Sequence, residues 1–71
     1  MAKYTDTERV QEVTTCINNF DAKAEKQAIS TNKAMVRYIW HIIAEMESSS
    51  SRITWFARLD AKAVKWRINI H

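Results

Sequence analysis

The spacing of apolar residues in the first part of the chain predicts one amphipathic helix. Residues 5–8, Thr-Asp-Thr-Glu, match a capping box, in which a threonine and a glutamate three positions later satisfy each other's backbone donors. We therefore expect the helix to begin near Thr5 or Thr7. The apolar residues that follow share one helical face: Val10, Val13, Cys16, Ile17 and Phe20. Asn18 and Asn19 should weaken the helix end, and Asp21 should cap the next helix.

The middle of the chain allows two interpretations. Ser30, Thr31 and Asn32 are good capping residues and poor helix-interior residues, which favours a short helix, a turn and a new helix over residues 33–47. The alternative is one uninterrupted helix over residues 22–47, because the apolar positions before and after the triplet share a face. We prefer the break, since the long helix would place Glu25 and Asn32 on its apolar stripe.

After residue 47 the pattern changes from helical spacing to alternation. The four serines at 48–51 predict a loop, and apolar and polar side chains then alternate in two runs, as in half-buried β-strands. Asp60-Ala61-Lys62 would be the hairpin loop between them. We expect one α+β domain over residues 1–71, with three helices and a C-terminal β-hairpin, as in a winged helix-turn-helix. The alternative is a two-helix hairpin with one long helix, followed by the β-hairpin.

The composition excludes several classes of enzyme. The 71 residues include no Gly and no Pro, so neither a phosphate-binding glycine loop nor a glycine-flanked nucleophile serine can form. Cys16 is the single cysteine, which rules out an internal disulfide and a cysteine-based zinc site and leaves it as a buried small hydrophobe. His41 and His71 do not form a metal-binding spacing. We predict a protein that is not an enzyme and that uses no cofactor or metal.

The distribution of charge and apolar residues bears on location and partners. The N-terminus has no signal-peptide core, and the longest nearly apolar run, residues 38–44, is too short to span a bilayer, so we expect a cytoplasmic protein. The formal net charge is +3. The charged residues after Ser48 are mostly basic, which indicates a polyanionic partner: Arg52, Arg58, Asp60, Lys62, Lys65 and Arg67.

A stripe of basic side chains runs along the predicted helix 33–47. Lys33, Arg37 and His41 are four residues apart, opposite the apolar face. A DNA-recognition helix has this arrangement, with one face in the core and donors on the other, while its N-terminus adds partial positive charge. The alternative interpretation of the stripe is an ordinary solvated helix face.

Residues 29–46, ISTNKAMVRYIWHIIAEM, resemble the turn and recognition helix of small bacterial winged helix-turn-helix regulators. The similar families are the fimbrial-operon regulators of the PapI type and, more loosely, the CaiF-type activators. The resemblance covers about residues 21–69 and implies binding to double-stranded DNA and transcriptional control. It implies groove or phosphate contacts by Asn32, Lys33, Arg37 and His41, and wing contacts by Arg58, Lys62 and Lys65. Arg67 lies on the same predicted basic strand face.

Two hypotheses about function follow. The first is a homodimeric DNA-binding transcriptional regulator, with helix 33–47 in the major groove and hairpin 52–70 as a wing. The second is a non-enzymatic inhibitor or adaptor of phage or mobile-element type. It would use the basic hairpin face and an exposed Phe56 to bind an acidic or nucleic-acid-binding surface of a partner protein. In both, the tryptophans are expected in the core: Trp40, Trp55 and Trp66.

Overall fold

Three α-helices make up most of the part of the chain that the structure describes. The computed structural model describes residues 4–69, with α1 at Asp6–Asp21, α2 at Ile29–Ala44 and α3 at Ser49–Lys65. One turn of 3₁₀-helix, Ala24–Lys26, lies between α1 and α2. Residues 4–69 contain no β-strand. The predicted α+β class with a C-terminal β-hairpin is therefore wrong, and so is the winged helix-turn-helix architecture.

Helix α1 begins as its sequence predicts. The Thr5 Oγ1 accepts a hydrogen bond from the Glu8 backbone N–H at 3.3 Å, and the Glu8 carboxylate accepts one from the Thr5 N–H at 3.2 Å. These two bonds confirm the capping box. The helix continues through Asn18 and Asn19 to Asp21. Asp21 does not cap the next helix, and its carboxylate is instead bonded to α3.

The break before α2 comes earlier than predicted. Ala28 has an extended backbone (φ −63°, ψ 147°) and is the residue at which the chain enters the helix. Ser30, Thr31 and Asn32 lie in the first turn of α2, where polar residues are tolerated, and the Thr31 and Asn32 N–H groups donate to the Ala28 carbonyl at 3.0 and 3.2 Å. The helix therefore spans Ile29–Ala44 instead of 33–47. The alternative prediction, one helix over residues 22–47, is also wrong.

The segment predicted to be a loop and a hairpin forms α3. The Ser48 Oγ accepts a hydrogen bond from the Ser51 N–H at 3.3 Å, so the serines cap and begin a helix. Within α3 and at its end the buried residues are Leu59, Ala63 and Trp66, four and three positions apart, which is a helical spacing. The alternating pattern predicted strands because it placed Ile53 and Val64 among the buried residues. Both are exposed.

Helix α3 ends in a Schellman motif with a non-glycine residue in the left-handed conformation. Arg67 has φ 64°. The Ile68 N–H donates to the Ala63 carbonyl at 2.8 Å and the Arg67 N–H donates to the Val64 carbonyl at 3.1 Å. A left-handed non-glycine residue costs about 1 kcal/mol. The chain has no glycine for this position, and hydrogen bonds donated by the Arg67 side chain to the Ala24 and Gln27 carbonyls offset the cost.

One apolar core joins all three helices. Its buried members are Val13, Ile17, Phe20, Ala24, Val36, Ile39, Ile43, Met46, Leu59, Ala63, Trp66 and Ile68. The prediction that the tryptophans lie in the core is confirmed for Trp66, whereas Trp55 is half-buried and Trp40 is exposed. Cys16 is half-buried, and burial raises the pKa of its thiol. Phe56, predicted to be exposed, is half-buried against the core.

Candidate functional site

Helices α2 and α3 pack side by side in opposite directions and form one outer surface. The Trp40 and Phe56 rings lie 5.4 Å apart near one end, and the Asn32 Nδ2 donates to the Trp66 carbonyl at 3.0 Å near the other. Helical spacing then places Ile29, Lys33 and Arg37 on the same side of α2 as Trp40. It likewise places Ile53 and Val64, three residues before and eight after Phe56, on the same side of α3 as Phe56. We call this surface the α2–α3 face, and its members are Ile29, Lys33, Arg37, Trp40, Ile53, Phe56 and Val64.

The α2–α3 face exposes large apolar side chains. Ile53 is 71% exposed, Val64 is 77% exposed and Trp40 is 44% exposed. Single exposed apolar residues are ordinary on protein surfaces, whereas contiguous apolar patches mark interaction sites. The sequence pattern instead predicted Ile53 and Val64 on the buried side of two strands and Trp40 in the core, so this exposed group was not predicted.

The same face carries cations that have no acidic partner. Lys33 and Arg37 are exposed, and their side chains form no ion pair or hydrogen bond with any other residue in the range 4–69. His41 is exposed one turn further along, with its ring 5.5 Å from that of Trp40. These three members of the predicted DNA-binding set lie together on α2.

Two other members of the predicted set hold α3 against α1. The Lys62 Nζ lies 2.7 Å from the Asp21 Oδ2, and the Lys65 Nζ lies 3.4 Å from the same atom. The Trp66 Nε1–H donates to the Asp21 Oδ1 at 2.8 Å. The hydrogen bonds from Lys62 and Trp66 lower the pKa of the Asp21 carboxyl to about 2. We call these four residues the Asp21 cluster.

Asn32 and Arg67 also have structural partners. Asn32 is fully buried, and its Nδ2 donates to the Ala24 carbonyl at 2.9 Å as well as to the Trp66 carbonyl. The Arg67 Nη2 donates to the Ala24 carbonyl at 3.2 Å and to the Gln27 carbonyl at 3.0 Å. Together they join the 3₁₀ turn, the start of α2 and the end of α3. Arg58, the remaining predicted wing residue, is exposed with its guanidinium 4.6 Å from the centre of the Trp55 ring.

The turn between α2 and α3 is fixed from α1. The Asp6 carboxylate accepts hydrogen bonds from the Glu47 N–H at 2.8 Å and the Ser48 N–H at 2.9 Å, and these bonds lower its pKa. Arg9, in turn, pairs with Asp6 at 3.1 Å. This contact could not be predicted from the sequence, since no local pattern connects residues so far apart in the chain.

A third polar cluster joins α1 to α2. The Glu12 carboxylate accepts hydrogen bonds from the hydroxyls of Tyr38 and Tyr4, and both bonds lower the pKa of Glu12. The same carboxylate raises the pKa of Tyr4 to about 12. This cluster is exposed and fixes the position of the chain just before α1.

The comparisons with known proteins assign neither a family nor a function to the chain. No family model, curated protein or solved structure matches the chain, and the resemblance to helix-turn-helix regulators stays a prediction from the sequence. None of the three helices in residues 4–69 is long and apolar enough to cross a membrane. Over the same residues, no group of three or more His, Cys, Asp or Glu side chains is placed to hold a metal ion.

Proposed function

We propose that this protein is a non-enzymatic interaction module that binds a partner protein through the α2–α3 face. The observation that carries the proposal is the exposure of Ile53 and Val64, at 71% and 77%, on the same face as the exposed Trp40. Water contact with these side chains is unfavourable by roughly 25 cal/mol for each Å² of apolar surface. A partner that covers the face removes this cost, so the α2–α3 face has a physical reason to bind.

The cations of the face indicate the chemistry of the partner. The side chains of Lys33 and Arg37 form no ion pair in residues 4–69, so carboxylates on a partner would gain hydrogen bonds without breaking existing ones. A two-fold pair of this chain would instead place the same cationic face against itself, which is unfavourable. We therefore propose a different protein with an acidic, partly apolar surface. This is the adaptor or inhibitor hypothesis, with a helical face in place of the hairpin.

Affinity capture with matched variants tests the proposal. Tagged protein is used to capture partners from a lysate of the source cells, alongside the variants Ile53→Glu/Val64→Glu and Lys33→Gln/Arg37→Gln. The control is Gln11→Glu/Thr15→Glu, which changes two exposed residues of α1. We expect the wild type and the control to retain the same protein and both face variants to lose it. Capture that is equal for all four proteins would contradict the proposal.

Double-stranded DNA is the second candidate partner, favoured by the exposed stripe Lys33, Arg37 and His41 on α2. Two or three phosphate contacts predict a slope of about −2 to −3 in a plot of log affinity against log salt concentration. DNA contact through phosphates does not account for the exposed Ile53 and Val64, so we place it second. Failure to bind a mixed-sequence duplex at about 50 mM salt would remove this candidate.

A further inference from the structure

A groove lies between α1 and α3, on the side of α3 away from the α2–α3 face. Its volume is about 330 Å³, at the lower end of the range for ligand pockets. Its walls include Thr14 and Ile17 from α1, and Trp55, Arg58, Ala61 and Lys62 from α3. Nothing in the proposed function uses this groove.

The lining of the groove is apolar with a cationic edge. Ile17 is buried and Trp55 is half-buried, and together they provide apolar walls. The two charged residues of the lining, Arg58 and Lys62, are both basic, and no carboxylate is among the lining residues. The charge of the groove is therefore complementary to an acidic ligand.

Arg58 and Lys62 differ in whether they already have an acidic partner. Lys62 is already paired with Asp21 at 2.7 Å. Arg58 forms no ion pair with any residue in the range 4–69, and its guanidinium lies over the Trp55 ring. Stacking on an aromatic face leaves the edge of the guanidinium free to donate to a carboxylate. The groove thus offers one free, oriented donor group beside an aromatic wall.

We propose that this groove binds an acidic peptide segment that carries an aromatic side chain. The aromatic ring enters beside Trp55, where ring packing adds to the burial of apolar surface. A neighbouring carboxylate of the peptide accepts hydrogen bonds from Arg58, while Lys62 keeps its ion pair with Asp21. A single free guanidinium in a mostly apolar groove suits a carboxylate better than a polyphosphate, which gathers several cations. The groove and the α2–α3 face can be occupied separately, so this proposal does not depend on the proposed function.

Fluorine NMR of protein labelled with 5-fluorotryptophan tests the proposal directly. The chain has three Trp residues, and the signal of Trp55 is identified by its loss in Trp55→Phe. The probe is acetyl-Glu-Glu-Phe-Glu-Glu-amide, with two control peptides in which Ala replaces Phe or Lys replaces every Glu. We expect only the acidic peptide with Phe to move the Trp55 signal, while Trp40 and Trp66 stay in place. An unmoved Trp55 signal, or an equal effect of the lysine peptide, overturns the proposal.

Variants that leave the core untouched locate the binding. Arg58→Gln should weaken the peptide by about fivefold or more, since it removes a charge-assisted hydrogen bond, whereas Arg37→Gln on the α2–α3 face should have no effect. Ala61 is exposed at the groove edge, so Ala61→Glu should keep the fold, checked by circular dichroism, and repel the peptide. Equal weakening by Arg58→Gln and Arg37→Gln would overturn the proposal. Phenylacetate binding as tightly as the peptide would also overturn it, because the ligand would then be a small aromatic acid.

Discussion

The α1–α3 contact and the α2–α3 face use their basic side chains in different ways. Toward α1, Lys62 and Trp66 both bind the carboxylate of Asp21, and the cluster is closed by its own partners. Toward the outer side of α2, Lys33 and Arg37 have no partner in residues 4–69 and lie beside exposed apolar side chains. The comparison teaches that a basic composition does not by itself mark a binding surface. The cations that are already bonded hold the fold, and those without an ion pair are the candidates for contact with another molecule.

The largest loss of stability is expected from substituting Asn32, a predicted DNA-contact residue that is buried in the structure. Asn32→Leu removes the donor to the carbonyls of Ala24 and Trp66 inside the protein, and should lower the free energy of unfolding by about 2–3 kcal/mol. The neighbouring exposed substitution, Lys33→Ala, should change it by less than about 0.5 kcal/mol. Urea denaturation of both variants measures the difference. Similar values for the two would show that Asn32 is not the interior link described here.

The Asp21 cluster should make stability depend on pH. Because the pKa of Asp21 is lowered from 3.8 to about 2 on folding, its carboxylate stabilises the fold fully above about pH 4, and this contribution is lost as the pH falls toward 2. Asp6 and Glu12 also have lowered pKa values and act in the same direction. Asp21→Asn should therefore lower stability at pH 7 by about 1 kcal/mol, a modest value because the carboxylate is partly exposed to solvent.

The difference in stability between Asp21→Asn and the wild type should shrink between pH 7 and pH 2.5. Thermal unfolding at several pH values measures it. A constant difference across this range would mean that the charge of Asp21 contributes nothing.

Two substitutions, each of which removes one positive charge, compare the α1–α3 contact with the α2–α3 face directly. Lys62→Gln removes a cation that is bonded to Asp21 and should destabilise the protein by up to about 1 kcal/mol. Arg37→Gln removes a free cation and should leave stability within about 0.5 kcal/mol. Both are measured by urea denaturation in low and high salt, where only the Lys62→Gln difference should diminish as salt is added. A larger loss from Arg37→Gln would reverse the assignment of structural and available cations.

The smallest effect on stability is expected from the exposed apolar residues. Ile53→Glu/Val64→Glu should change the unfolding free energy by less than about 0.5 kcal/mol, since neither side chain is buried in the protein alone. Thermal unfolding checks the stability, and sedimentation velocity checks that wild type and variant are both monomers. A loss above about 2 kcal/mol, or a dimer that the variant abolishes, would mean that a second copy covers the face.

The parts of the fold that local signals determine could be predicted from the sequence. The capping box at Thr5 and Glu8 and the apolar spacing of Val13, Ile17 and Phe20 define α1 within a few residues. Helix α3 could not be recognised with the same reasoning, because its sequence fits both alternation and helical spacing. The choice depends on whether Ile53 and Val64 are buried, and burial is a property of the folded chain.

The candidate site was predictable only in part, for a related reason. Helical spacing places Lys33, Arg37 and His41 on one exposed stripe, and the structure has them there. The partners of Lys62 and Trp66 could not be found, since Asp21 lies 41 and 45 residues away in sequence. The residues with the clearest functional signal, Ile53 and Val64, are those that break the rule that apolar side chains are buried.

The measurement that tests the central claim most directly is site-specific photo-crosslinking in the source cells. A photoreactive benzoylphenylalanine replaces Ile53 on the α2–α3 face in one protein and Gln11 on the exposed side of α1 in another. We predict one discrete adduct with an acidic protein from the Ile53 position and none from the Gln11 position. The adduct should disappear when Lys33→Gln/Arg37→Gln is added. Adducts of equal yield from both positions, or none from Ile53, would contradict the assignment of the α2–α3 face as the interface.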